Sequence, residues 1–145
     1  MLFSLILVVD TFLTFRLNMI KRLTDDAANL AIWSHNQAWG YFDSLEKEQK
    51  GPIVAIIKTI SKDGLPKNTE KYRQLEGELY EIKKGQHRFT CYSTNINRTN
   101  TLVLLHGFKK QTGRTPKKEI KHGLVLMQAV EEFIRQGGIE NEHSR

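Results

Sequence analysis

Thr101-Leu102-Val103-Leu104-Leu105-His106-Gly107-Phe108 is the stretch on which the fold turns. Four consecutive apolar residues with no polar alternation describe a strand covered on both faces, the central strand of a sheet. Ser93 to Asn100, just before it, is polar and Asn-rich and reads as a loop. Further upstream, Leu79-Tyr80-Glu81-Ile82 alternates as a half-buried strand. Gly85-Gln86 is a two-residue turn with glycine first, and His87 to Tyr92 is the returning strand. Downstream, Thr115-Pro116 has the form of a helix start, with a hydroxyl N-cap and proline at the first position. Ile120, Leu124, Met127, Val130 and Ile134 recur at helical spacing as its buried face, and Gly137-Gly138 ends it.

The N-terminal half reads differently. Thr24 followed by Asp25 and Asp26 predicts a helix N-terminus, a hydroxyl cap with carboxylates at the positive end of the dipole. Ala27, Leu30, Ala31, Ala38, Tyr41, Phe42 and Leu45 follow at helical spacing. Ile53, Ile56, Ile57 and Ile60 repeat at i, i+3, i+4, i+7, so a second helix ends near Lys62, stopped by Gly64 and Pro66. Gly51-Pro52 lies at its start or kinks it. The expected order is strand, helix, helix, three strands, helix. It describes an α+β domain in which an antiparallel β-sheet packs against an N-terminal helical hairpin, with a C-terminal helix. Residues 1–23 form an extension and first strand (Phe12 to Ile20), 24–136 the domain that this strand completes, and 137–145 a polar tail.

Leu2 to Val9 is apolar except for Ser4 and stops at Asp10, too short for the roughly 20 apolar residues of a membrane span. No Lys or Arg precedes Arg16 and no Ala-x-Ala follows, so a secretory signal is disfavoured. The stretch reads as extra residues ahead of the first strand, with Met19 an alternative start. One cysteine, Cys91, excludes a disulfide framework and a cysteine-rich zinc module. The five histidines are scattered with no carboxylate cluster, so neither a metal nor a cofactor is expected, and the setting is cytoplasmic.

The 145 residues carry a formal net charge of +6. The excess is local: residues 83–121 hold ten basic groups and one acid, Glu119. A solvated basic face is one reading; a phosphate-binding concavity is the other, favoured because the cations sit on different elements that the sheet would gather.

Leu75-Glu76-Gly77-Glu78-Leu79-Tyr80-Glu81-Ile82-Lys83 is similar to the L-x-G-x-L-Y-E-L-R element of RelE-superfamily toxins, and more narrowly of their HigB-like, phage-derived branch. His87-Arg88-Phe89 resembles that family's Y-R-I strand. Leu104-Leu105-His106-Gly107-Phe108-Lys109-Lys110 resembles L-L-H-G-F-x-K-K, and Gln111-Thr112-Gly113-Arg114-Thr115-Pro116-Lys117-Lys118-Glu119-Ile120 resembles T-x-x-T-P-x-x-E-I. Lys83 departs from the family's usual arginine, and Phe89-Thr90-Cys91-Tyr92 is more polar than the family's strand. The resemblance implies the toxin of a type II toxin–antitoxin pair. The activity implied is a metal-independent mRNA endoribonuclease, an mRNA interferase acting at the ribosome. The implied partner is an antitoxin, a small helix-turn-helix protein from an adjacent gene. Relatives that poison DNA gyrase provide the alternative.

Metal-free RNA cleavage needs a base for the 2′-hydroxyl, cations for the pentacoordinate oxyanion and an acid for the leaving oxygen. Lys83 is the candidate base if neighbouring cations depress its pKa; otherwise it is an ordinary strand lysine. Arg88, across the hairpin, is the candidate phosphate clamp. Lys110 completes the cationic set. Tyr92 and His106 are candidate acids or stacking groups, with a satisfied buried histidine the other reading of His106. Lys84, Lys109, Arg114, Lys117 and Lys118 are expected to bind RNA backbone. Lys83, Arg88, Lys109, Lys110 and Arg114 should share one concave surface.

Overall fold

A computed structural model describes residues 19–139. Among them β1 (Ile20–Arg22), β2 (Ala31–His35), α1 (Asn36–Asp43), α2 (Lys47–Asp63), β3 (Tyr72–Glu76), β4 (Leu79–Lys84), β5 (His87–Ile96), β6 (Thr99–Lys109) and α3 (Lys117–Arg135) follow in order. The strands form one six-stranded sheet in the order β1-β2-β6-β5-β4-β3. Every pair is antiparallel except β2 with β6, which run parallel, so the sheet is mixed rather than purely antiparallel. The parallel pair is possible because the long connection from β2 to β6, two helices and three strands, lets the chain re-enter beside β2 in the same direction.

β6 is central, as the Leu102 to Leu105 run predicts, and all four residues are buried. Its two faces enter two cores. Leu102 and Leu104 pack with Ile32, Ile53, Ile60, Ile82 and Phe89 under α1 and α2. Val103 and Leu105 pack with Leu79, Tyr92, Leu126 and Val130 under α3. The isoleucine stripe of α2 does pack there: Ile53 and Ile60 are buried, and Ile56 and Ile57 are partly so. Each fully buried isoleucine contributes about 1.5–3 kcal/mol relative to exposure. Gly107 is required on this face, because a Cβ would lie 2.4 Å from the Tyr41 ring.

The predicted helix from Ala27 is half wrong. Ala31 to His35 is a strand, and helix begins only at Asn36. The apparent helix start is a turn: the Asp25 carboxylate accepts from Ala27 N at 3.0 Å, and the Thr24 hydroxyl accepts from Ile32 N at 3.0 Å. Ile32 and Trp33 suit a pleated surface, and pairing with β6 overrides the helical spacing. The true N-cap is His35, whose Nδ1 accepts from Gln37 N at 3.0 Å. The remaining helix has only eight residues, so the long hairpin expected from Ala27 to Ser61 is absent from the described residues.

The Asn-rich stretch is also a correction. Ser93 to Ile96 and Thr99 to Asn100 continue β5 and β6 around Asn97-Arg98, both left-handed at φ 52° and 65°. That pair of positive φ angles matches the twist of a two-residue hairpin, a conformation asparagine tolerates. β3 was not foreseen; it pairs antiparallel with β4. The Gly85-Gln86 turn is as predicted, with Lys84 opposite His87 and Gly85 at φ 59°. Thr115 does not cap α3; its hydroxyl donates to the Glu81 carboxylate instead. The buried line of α3 is Gly123, Leu126, Val130 and Phe133; of the predicted stripe, Ile120, Leu124, Met127 and Ile134 flank it. Most of the expected strand Phe12 to Ile20, all of Leu2 to Val9 and the tail from residue 140 lie outside the described residues. Ile20 itself opens β1, which pairs with β2.

Candidate functional site

Strand register aligns a polar row across the sheet: Arg73 on β3 faces Glu81 on β4, which faces Thr90 on β5, which faces His106 on β6. A second row sets Lys83 opposite Arg88, and Arg88 opposite Phe108. Residues two apart on a strand share a face, so Glu81 with Lys83, and Arg88 with Thr90, point the same way. Gly123 of α3 lies over this face; a Cβ there would be 3.0 Å from Leu79 and 3.4 Å from Thr90.

Glu81 is 0% exposed. The Thr115 hydroxyl donates to its Oε1. Arg73 Nη2 and Arg88 Nε each lie 3.6 Å from its Oε2. A buried carboxylate requires such cations, since charge taken out of water unpaired is very costly. Arg88 is further fixed by donating from Nη1 to the carbonyls of Gly85 at 2.7 Å and His87 at 3.0 Å. Lys83 sits beside this group. Partial burial, and then the positive charges of Arg73, Arg88 and Lys110, hold its amine below the ordinary lysine range, with Glu81 opposing. Lys110 is anchored by its backbone N–H to the Gln86 carbonyl at 2.8 Å.

His106 is buried, its Nδ1 2.6 Å from the Thr90 hydroxyl and its Nε2 3.8 Å from the Glu119 carboxylate. The His122 ring meets it edge-on at 4.7 Å between centroids. Burial, and then His122 and His35, push its pKa down to about 4, so it is neutral at pH 7. His106 is buried but only half satisfied: Nδ1 has the Thr90 hydroxyl, and Nε2 has no hydrogen-bond partner. Tyr92 lies further along β5 within the core, 1% exposed, its hydroxyl donating to Glu131 at 2.7 Å, and burial raises its pKa. Neither is presented to solvent beside Lys83.

The expected convergence of cations is therefore partial. Lys83, Arg88 and Lys110 come together with Arg73. Lys109 does not join them: it stands opposite His87, one residue out of phase with Arg88, and its charge lowers the His87 pKa. Lys84, opposite His87 on the other strand, shares that opposite face. Arg114, Lys117 and Lys118 are exposed in the loop before α3 and in its first turn.

Arg73, Glu81, Thr90, Thr115 and His122 were missed as site residues. Glu81 carried a signal: it shares a face with Leu79 in a strand whose other face holds Ile82. Arg73 carried none, since β3 itself was not foreseen. A cleft of about 560 Å³ lined by Trp39, Phe42, Ile53, Val54 and Ile57 among others opens on the other face of the sheet, away from Lys83 and Arg88. Among the described residues no three His, Cys, Asp or Glu side chains are grouped to hold a metal ion.

The family described as phage-derived protein Gp49-like (DUF891) matches residues 40–128. The chain belongs to that family. Gp49-like proteins form a RelE/toxin-like family, associated with the toxins of toxin–antitoxin pairs. The Gp49-like match runs from within α1 to within α3 and so contains both polar rows. No curated protein sequence matches the chain. A toxin-type family suggests an antitoxin partner. Among the described residues no helix is long and apolar enough to cross a membrane.

Proposed function

We propose that this Gp49-like chain is the toxin of a type II toxin–antitoxin pair, of the HigB-like branch, and a metal-independent endoribonuclease that cuts translated mRNA at the ribosome. The cytoplasm is then its place of action, and an antitoxin from an adjacent gene its inhibitor. The observation that carries the reading is the pairing of Lys83 with Arg88 across the hairpin, with the Lys83 amine lowered by burial and by Arg73, Arg88 and Lys110. A lysine so placed is more readily neutral and can accept a proton.

Lys83 takes the proton of a 2′-hydroxyl as that oxygen attacks the adjacent phosphorus. Arg88 holds the non-bridging phosphate oxygens as negative charge builds on them. Lys110 supplies the proton to the departing 5′-oxygen, leaving a 2′,3′-cyclic phosphate and a 5′-hydroxyl. Lys84, Lys109, Arg114, Lys117 and Lys118 attract the RNA backbone on either side.

The test is induction of each variant with growth and transcript ends followed. Loss of a transition-state contact costs on the order of a hundredfold to a thousandfold in rate. Arg88→Ala and Lys83→Met are expected to abolish growth arrest and transcript cleavage at matched soluble protein, while antitoxin binding persists. Lys62→Ala, outside the basic segment, leaves toxicity intact. Undiminished toxicity in both site variants rejects the assignment. Intact transcripts with altered DNA supercoiling replace it with gyrase poisoning.

A further inference from the structure

The proposed chemistry uses Arg88 and leaves Glu81 and Arg73 without a part. Stability alone does not explain Glu81, because buried ion pairs are often no more stable than apolar residues of the same size. The geometry is also not that of a closed ion pair. Glu81 Oε2 stands 3.6 Å from Arg73 Nη2 and 3.6 Å from Arg88 Nε, both beyond hydrogen-bond reach. Glu81 Oε2, Arg73 Nε and Arg88 Nε are all buried and have no hydrogen-bond partner. Two guanidiniums from β3 and β5 thus flank one carboxylate, held by its charge rather than by hydrogen bonds to it. Thr115, just ahead of α3, fixes the carboxylate from the far side and lies 3.4 Å from Arg73 Nη2.

Arg73 on β3 and Arg88 on β5 carry like charges on either side of β4, and the Glu81 carboxylate between them offsets their repulsion. We infer that Glu81 is a positioning residue, which sets the Arg73 and Arg88 guanidiniums side by side as a twin clamp for one phosphate of single-stranded RNA. Arg73 is the second jaw of that clamp. Each planar fork can offer two parallel N–H groups to phosphate oxygens. With Lys83 and Lys110 alongside, the site keeps a positive excess after Glu81 is counted. The inference rests on the nuclease reading for its choice of phosphate and adds how the phosphate is held.

Binding and cleavage are measured separately on the full chain. The binding probe is a 2′-O-methyl RNA oligonucleotide, which lacks the attacking hydroxyl. Arg73→Ala weakens its binding about tenfold in the wild-type background, the loss expected for one charge-assisted contact. In a Glu81→Gln background the same change costs less than about threefold, because the jaw is already displaced. Equal losses in both backgrounds overturn the inference.

In the cleavage arm, Glu81→Gln lowers kcat about tenfold to a hundredfold, the scale of a misplaced catalytic group. KM changes little, because the lost jaw contact and the removed negative charge oppose each other. The ascending limb of the pH profile moves to lower pH, because Glu81 no longer supports the protonated form of Lys83. A loss that is uniform in pH and tracks the folded fraction marks a structural role and overturns the inference. Should Glu81→Gln fail to fold, Thr115→Val replaces it in both arms, with a smaller loss in the same direction that Thr115→Ser restores. Coupled binding without cleavage by the wild type refutes the nuclease reading and leaves the clamp standing; cleavage without coupling does the reverse.

Discussion

The two faces of β4, β5 and β6 are built to different rules. Under α1 and α2 the strands present Ile82, Phe89, Cys91 and Leu104 against Ile53 and Ile60, and the fit is tight enough that Gly107 has no room for a methyl group. Under α3, close to the same hairpin, they present Glu81, Lys83, Arg88, Thr90 and His106, with buried polar atoms lacking partners. The first face is apolar along these strands. The second has its own apolar core around Leu79, Tyr92, Val103 and Leu105, and near the hairpin it spends part of that stability to keep charged groups buried and incompletely satisfied.

The largest effect expected from breaking this contrast is on the apolar face. Ile60 is 0% exposed on the stripe that α2 lays on the sheet. Ile60→Ala should cost about 2–5 kcal/mol, the transfer of three carbons plus the cavity they leave. Urea unfolding gives the number. Toxicity should fall only as the folded fraction falls, and the ascending limb of the cleavage pH profile should not move.

Acid separates the faces next. The folded pKa of His106, about 4, lies below its ordinary 6.5. Between those values the unfolded chain binds the proton and the folded one does not, so stability rises with pH across the window and falls as the solution is acidified through it. At about 1.36 kcal/mol per pH unit the loss is about 3 kcal/mol by pH 4. His35, lowered by burial and by His122, acts in the same direction. On the apolar face Cys91 and Tyr72 are raised by burial, away from this range, and contribute nothing to it. His106→Gln should flatten most of the dependence of the urea midpoint between pH 7 and pH 4. An unchanged slope would place the acid sensitivity elsewhere.

What was legible in the sequence divides along the same lines. Leu102 to Leu105 gave the central strand because an uninterrupted apolar run has few other homes. The Ile53 to Ile60 spacing gave α2 for the same reason, and Gly85-Gln86 gave the turn by its backbone chemistry. Ala31 to His35 misled because its apolar positions satisfy helical spacing, while the partner strand that makes it β lies some seventy residues away. Ser93 to Asn100 misled because polar residues at a hairpin tip look like a loop, and Arg98 in a left-handed conformation replaces the expected glycine. For the site, the charge run located the cations, but whether neighbours face one way or opposite ways depends on register. That is why Lys83 and Arg88 were paired correctly and Lys109 was not. Glu81 left a trace in the alternation of its strand, whereas Arg73 became visible only once β3 lay beside β4.

The smallest effect is also the sharpest test of that register. Lys109 and Lys110 are adjacent in sequence, equal in charge and both near the mouth of the β5–β6 hairpin. Lys110 lowers the Lys83 pKa, whereas Lys109 acts on His87. Removing the Lys110 charge therefore lets the Lys83 pKa rise. Lys110→Met should move the ascending limb of the cleavage pH profile to higher pH, in addition to lowering the rate through loss of the proposed proton donor. Lys109→Met should leave the limb where it is and weaken RNA binding by no more than one backbone contact, with the salt slope of binding reduced by about one. The comparison uses the direction of the shift, so it survives changes in expression or stability that alter rates alone. Equal shifts from the two variants would mean that both lysines face Lys83 and that the β5–β6 register is not the one described.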